Sequence, residues 1–171
     1  MAAKRVAIMV DEMYQVLEVW FPYYRLKEAG LQVNFVAAEA KKEYHSKEGY
    51  PCISEIAAGN AKAGDFDCMI VPGGFAPDFM RRSPDVIKFA NDMVNAGKII
   101  AAMCHGGWLL CSTKIFKGKK ATCFMAIKDD IKNAGAEYID AECVVDGSLI
   151  TSRKPDDLPA FCTAILKALG K

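Results

Sequence analysis

The stretch Ile99-Ile100-Ala101-Ala102-Met103-Cys104-His105-Gly106-Gly107-Trp108-Leu109-Leu110 decides the fold of this chain. Five small or apolar residues run directly into Cys104 and His105, two glycines follow, and an apolar helical pattern then resumes. An unbroken apolar run of this kind is typical of a buried parallel strand. The pattern therefore predicts a strand that turns sharply into a helix at Cys104, which is the arrangement of a nucleophile elbow with Cys in place of Ser.

The predicted turn holds the thiol of Cys104 over the first turn of the following helix. Free backbone N–H groups and the helix dipole favour an anion at that position. Because the thiolate is the reactive form, we expect the turn to lower the thiol pKa from its usual value of about 8.5. The alternative is that Cys104 is a small buried hydrophobic residue, as free cysteines often are. The strand, the two glycines and the helix around Cys104 favour a nucleophile.

Size and composition limit the function classes to which the chain can belong. We expect a single domain over residues 1–171, because a chain of this length can bury one substantial core. Hydrophobic residues make up 52% and the net charge is +1, so no charged field indicates nucleic acid or a membrane surface as a partner. The first apolar run is too short for a signal sequence or a membrane span.

The cysteines indicate the redox environment. There are seven of them, an odd number, and they are scattered through apolar segments with no C-x-x-C pair. This pattern disfavours a disulfide framework and a zinc site. We therefore expect a protein of the reducing cytoplasm that holds neither a metal nor a cofactor.

Strands and helices alternate along the rest of the chain. Apolar runs predict strands at 6–10, 31–36, 66–71, 99–103 and 121–124 and a hairpin over 143–152, whereas helical spacing predicts helices near 15–29, 83–95, 129–133 and 155–169. Residues 40–64 are expected to form a hairpin or loop with one weak helical turn. The alternation predicts a flavodoxin-like, doubly wound α/β fold, with a mainly parallel sheet and helices on both faces.

Three separate stretches follow predicted strands and should meet at one edge of the sheet. These are Asp11-Glu12, Gly73-Gly74 and Cys104-His105. Ligands of such sheets bind at the carboxyl ends of the strands. The two glycines would let backbone N–H groups approach a ligand closely, as an oxyanion hole requires, although a tight turn explains them equally well.

A set of short motifs spread over nearly the whole chain carries a resemblance to a known family. The motifs are residues 22–30, 71–74, 76–78, 102–106, 127–130, 133–137, 144–147 and 151–153. With them the chain resembles the PfpI-like (ThiJ/PfpI) family of intracellular proteases and deglycases. This family belongs to the class I glutamine-amidotransferase-like superfamily, which also includes the parkinsonism-associated protein deglycase.

The resemblance implies a set of catalytic groups. Cys104 would be the nucleophile and His105 its neighbouring base, and the N–H groups of Gly74 and His105 would form the oxyanion hole. Asp78 would reach His105 from a neighbouring subunit, which implies a homo-oligomer, either a dimer or a hexamer. The walls of the pocket would include Gly73, Phe75, Trp108 and Phe124.

One catalytic position departs from the family pattern. Counting back from Pro22 without gaps places the family's carboxylic acid, which hydrogen-bonds the thiol, on Gln15. An amide can donate a hydrogen bond to a thiolate, but it cannot exchange a proton. Glu12 would replace it only if the loop shifted its register.

Two functions of different classes follow. The first is a cysteine-dependent hydrolase or deglycase that acts on small carbonyl compounds, glycated thiols or amines, or peptides. The second is a stress protein without efficient turnover, a redox sensor or chaperone in which Cys104 is oxidised. Gln15 favours the second, because turnover needs a proton carrier and oxidation does not. A glutamine amidotransferase is disfavoured, since no His follows His105.

Overall fold

The computed structural model describes residues 3–171, so Met1 and Ala2, with which the predicted domain begins, lie outside the described residues. The strands are β1 (Arg5–Met9), β2 (Gln32–Ala37), β3 (Glu43–His45), β4 (Pro51–Ile53), β5 (Ile56–Ala57), β6 (Cys68–Val71), β7 (Ile99–Met103), β8 (Lys120–Ala121), β9 (Glu137–Tyr138), β10 (Cys143–Asp146) and β11 (Leu149–Ser152). The helices are α1 (Val16–Glu28), α2 (Ala76–Met80), α3 (Pro84–Asn95), α4 (Gly107–Leu110), α5 (Lys128–Asn133) and α6 (Leu158–Ala168).

The central sheet has the strand order β10-β11-β7-β6-β1-β2-β5. All neighbours are parallel except β10 and β11, which form an antiparallel hairpin at one edge. The chain moves from β1 to β2 in one direction and from β6 to β7 in the other. Right-handed crossovers therefore place α1 and α3 on opposite faces, and the predicted doubly wound fold is confirmed.

The inner strands are buried on both faces, which explains their unbroken apolar sequences. Every residue of β6 is buried, and so are all residues of β1 and β7 after the first. Val71 pairs with Ala102 in the register of β6 and β7. Gly73 and Cys104 each lie two residues beyond this pair, so the parallel register itself brings the glycines beside the cysteine.

Several local elements differ from the sequence prediction. Residues 40–64 contain the β3–β4 hairpin, a short edge strand β5 and two 3-10 turns, at Ala58–Asn60 and Ala63–Asp65. The strand predicted at 121–124 is shorter and one residue earlier, as β8, and helix α2 and strand β9 were not predicted, because elements this short carry too little periodicity. Among the described residues, no helix is both long and apolar enough to cross a membrane. All seven cysteines carry free thiols.

Candidate active site around Cys104

Cys104 stands at the sharp turn that the sequence predicts. Its φ is +56°, in the left-handed region that a side chain rarely adopts without support from surrounding structure. Cys104 is the first residue of a 3-10 turn, Cys104–Gly106, that leads into α4. A Cβ on Gly106 would collide with the carbonyl oxygen of Val71, so only glycine permits β7 to turn this close to the end of β6.

The segment Met13–Gln15, which begins in a turn, holds the second glycine of the Gly73-Gly74 pair. Phe75 N donates to Met13 O at 2.9 Å, and Gln15 N donates to Gly73 O at 3.3 Å. Gly74 has a φ of +74°, and a Cβ there would collide with Met13 O. This geometry directs the backbone N–H of Gly74 at the sulfur of Cys104, where the N–H of His105 also donates.

The carboxyl group beside the thiol belongs to Glu18, which is 1% exposed. Its Oε2 accepts a hydrogen bond from Gly73 N at 2.6 Å, and the carboxyl lies beside the side chain of Cys104. A Cβ on Gly73 would lie 2.8 Å from both Cys104 Cβ and Glu18 Oε2. The missing side chain of Gly73 is therefore what lets the acid and the thiol meet.

The carboxyl beside the thiol belongs to Glu18 and not to residue 15, where the resemblance placed the family's acid. Gln15 is the N-cap of α1, and its Oε1 accepts from Leu17 N at 2.7 Å and Glu18 N at 3.1 Å. Glu12, the other candidate, accepts instead from His45 N at 3.1 Å. The acid lies three residues further along, inside the helix.

One sequence signal would have found Glu18. It shares a helical face with Pro22 and Leu26, at spacings of four residues, and all three are buried. A carboxylate on the apolar face of a helix needs a partner in the core. Here the partners are the backbone N–H of Gly73, just beyond the end of β6, and the thiol of Cys104.

The pKa values of the acid and the thiol depend on each other. Burial raises the pKa of Glu18 to about 7, although the interactions of the carboxyl with Gly73 and Cys104 lower it. Burial and the negative charge of Glu18 raise the pKa of the Cys104 thiol, whereas the N–H groups of His105 and Gly74 lower it. The prediction that the helix end lowers the thiol pKa is therefore wrong, because burial and the charge of Glu18 outweigh the N–H groups. Two such groups lose their protons in separate steps that belong to the pair.

His105 stands on the other side of the thiol. Its Nδ1 lies 3.3 Å from Cys104 Sγ, and its ring stacks on Phe124 with the centroids 5.0 Å apart. Trp108 meets the ring edge-on at 5.0 Å. Burial, followed by the positive charge of Lys47, lowers the pKa of His105, so the ring is neutral near pH 7 and able to accept a proton.

A cavity of about 230 Å³ opens in front of Cys104. Its walls are formed by Gln15, Glu18, Gly74, Cys104 and His105 together with Lys47, Phe75, Phe124, Lys154 and Pro155. Phe75 and Phe124 therefore lie where they were expected, whereas Trp108 supports His105 from behind. The two lysines were not predicted, because their loops carry no motif. No group of three or more metal-binding side chains occurs within residues 3–171.

Asp78 lies away from this cavity in the single chain. It sits in α2, is half-exposed, and forms an ion pair with Arg82 one turn further along the chain. No carboxylate of residues 3–171 forms an ion pair with the ring of His105.

The model of the DJ-1/PfpI family matches residues 4–168. The chain belongs to the DJ-1/PfpI family. A deglycase of Thermococcus kodakarensis is 38% identical over 96% of this chain and 99% of its own length. Protein/nucleic acid deglycase 2 of Escherichia coli is 36% identical over 98% of this chain and 99% of its own length.

A solved structure extends the comparison. It is a two-domain protein of Anabaena variabilis with DJ-1/ThiJ/PfpI-like and ferritin-like domains, and it is 42% identical with a TM-score of 0.95. The match covers 98% of this chain and 48% of that one, so this chain spans about half of the two-domain protein.

The raised pKa of Glu18 predicts a stability cost. The native state keeps the proton of Glu18 up to about pH 7, while the unfolded chain loses it near the ordinary glutamate pKa of 4.5, so stability falls as the pH rises between these values. Glu18→Gln should therefore raise the free energy of unfolding, relative to wild type, by about 2 to 3 kcal/mol more at pH 8 than at pH 4.

Urea unfolding at the two pH values measures this difference. Glu28→Gln is the matched control, because Glu28 lies on the same helix with an exposed side chain. An equal effect of Glu18→Gln at both pH values would show that Glu18 does not keep its proton in the folded protein.

Proposed function

We propose that this protein is a cysteine-dependent hydrolase of the deglycase type, in which Cys104 attacks a carbonyl carbon. The observation that carries the proposal is the contact of one thiol, on a left-handed turn, with both a buried carboxyl and a neutral imidazole. The names of the relatives support the same chemistry. Its substrates would be small carbonyl compounds, glycation adducts of thiols or amines, or peptides.

The groups around Cys104 have distinct roles in this mechanism. Sulfur forms a bond to the carbonyl carbon, and the thiol proton passes to Glu18 or His105. The negative charge that develops on the carbonyl oxygen is stabilised by the N–H groups of Gly74 and His105. With a peptide, the bond to the leaving amine breaks as the proton passes to its nitrogen, and water then hydrolyses the thioester left on sulfur. Methylglyoxal has no leaving group: sulfur adds to its aldehyde carbon to form a hemithioacetal, a proton moves from that carbon to the neighbouring carbonyl carbon as the double bond shifts, and water hydrolyses the resulting thioester to lactate. Glycation adducts release their amine or thiol by reversal of its addition to methylglyoxal and then follow this route.

Glu18 suits proton transfer because of its pKa. A catalytic acid or base works best when its pKa lies near the operating pH, and burial brings Glu18 to about 7. The alternative function, a redox sensor or chaperone without turnover, was favoured only by the absence of a proton carrier at Gln15. Glu18 removes that reason, so we place the hydrolase first.

The proposal includes an oligomer. The imidazole of His105 faces the thiol through Nδ1 and has no carboxylate partner among residues 3–171. Asp78 is half-exposed on a surface helix, where a second copy of the chain has access to it. We propose that Asp78 of a neighbouring subunit orients His105 in a dimer or hexamer.

Replacement of the nucleophile tests the hydrolase proposal. Cys104→Ala should lower turnover of methylglyoxal, a glycated thiol or a chromogenic peptide by at least about 100-fold, because the covalent step is lost. Cys111→Ala is the matched control, since Cys111 lies in the same segment without lining the cavity. Turnover that survives in Cys104→Ala, or is absent from wild type with all three substrates, would contradict the proposal and favour the redox alternative.

Mixing two impaired variants tests the role of Asp78. Asp78→Ala should lower turnover without a comparable change in the alkylation rate of Cys104, because it acts through His105. Mixed oligomers of Asp78→Ala and Cys104→Ala subunits should recover activity. Where the two kinds of subunit meet, one site combines the intact Cys104 of the first with the intact Asp78 of the second. Mixed oligomers that stay inactive, or a fully active monomer, would show that no partner carboxylate is needed.

A further inference from the structure

Lys47 reaches the cavity from the loop between β3 and β4. Its backbone N donates to Tyr14 O at 3.0 Å, and Tyr14 also forms bridges with Ser46 and with Gly74. The same buried residue therefore fixes both the lysine loop and the glycine whose N–H faces the thiol. The side chain of Lys47 is about two-fifths exposed, and the nearest carboxylate that pairs with it is Glu48 at 3.9 Å.

Lys154 reaches the cavity from the opposite side, just beyond β11. Its neighbour Arg153 donates three hydrogen bonds to the nearly buried Asp157, two from the guanidinium group at 2.9 and 3.2 Å and one from the backbone N at 3.3 Å. Asp157 N in turn donates to Lys154 O at 2.9 Å. This part of the backbone is therefore well fixed, while the ammonium group of Lys154 pairs only with the exposed Asp156, at 3.0 Å.

The residues that line the cavity carry more positive than negative side chains, although the chain is almost neutral. Its lining carries two positive side chains, and its one carboxyl is Glu18. The pKa of Glu18 is raised to about 7 by burial, so its negative charge is incomplete near neutral pH. The positive charge of Lys47 already influences both Glu18 and His105. The net charge of the whole chain is only +1, so this excess is local.

We infer that Lys47 and Lys154 select substrates with a carboxylate or phosphate a few bonds from the carbonyl carbon that Cys104 attacks. This inference rests on the proposed function, since it names the substrate class of the same site. A cavity of about 230 Å³ holds roughly seven or eight groups of the size of water, at about 30 Å³ each. An anionic group inside it therefore cannot lie far from the reacting carbon, and both lysines can attract it.

A pair of alkylating reagents tests the charge selection without any turnover. Iodoacetate and iodoacetamide both consume the thiolate of Cys104, so the ratio of their rate constants does not depend on how much thiolate is present. The ratio of iodoacetate to iodoacetamide should be higher for the folded protein than for the urea-unfolded chain. Each of Lys47→Gln and Lys154→Gln should lower it about three- to tenfold, as expected for one charge nearby in a partly hydrated site.

The control for this test is Lys88→Gln. Lys88 lies on α3, pairs with Asp92 and does not line the cavity, so its removal changes the net charge equally. A thermal melt of each variant checks that it is folded. The inference would be overturned if the ratio of iodoacetate to iodoacetamide rate constants in the folded wild type equalled that of the unfolded chain. It would also be overturned if Lys88→Gln lowered this ratio as much as the two cavity variants do.

Protection of Cys104 by aldehydes distinguishes the two anionic groups. A thiol adds reversibly to an aldehyde, its S–H bond adding across the C=O bond, and the adduct blocks iodoacetamide. Succinic semialdehyde should protect at severalfold lower concentration than propionaldehyde if a carboxylate is preferred. Glyceraldehyde 3-phosphate should outperform glyceraldehyde if a phosphate is preferred. Either preference should disappear in the Lys47→Gln, Lys154→Gln double variant.

The outcomes separate this inference from the proposed function. If the protein shows no turnover but its thiol selects anionic reagents, the role of the two lysines stands and only the hydrolase is refuted. Turnover combined with no preference in either aldehyde pair would overturn the selection of anionic substrates and leave the hydrolase intact.

Discussion

The carboxyl group of Glu18 and the thiol of Cys104 meet in a space too well buried to hold two negative charges near neutral pH. Each group opposes ionisation of the other, and the N–H groups of Gly74 and His105 offset part of this cost at sulfur. The pair therefore keeps one proton near neutral pH. In the proposed function, the contact that lowers stability also supplies the reactivity, a trade-off often found at active sites.

The fold is arranged so that these groups must meet. The parallel register of β6 and β7 brings Gly73 beside Cys104, while α1, which follows β1, carries Glu18 in its first turn to the same edge of the sheet. Tyr14 then links this arrangement to the loop of Lys47. A change in any of these elements would move a catalytic group, because sheet register and helix packing permit only discrete shifts.

The sequence predicted those parts of the site that depend on burial. A strand buried on both faces must be apolar throughout, so Ile99–Met103 identified its own position and the turn after it. Glu18 was missed because the acid was placed by counting back from Pro22, without asking which residues of α1 lie on its buried face. Lys47 and Lys154 could not be predicted, since the place where a loop side chain ends is decided by tertiary contacts of residues distant in sequence.

The rate of alkylation of Cys104 by iodoacetamide, followed against pH in wild type and Glu18→Gln, tests most directly whether the acid and the thiol share a proton. The account predicts two steps in wild type, one near pH 7 as the pair loses its first proton and one at much higher pH as it loses the second. Glu18→Gln should show one step. A single step in wild type, at the same pH as in Glu18→Gln, would contradict the account.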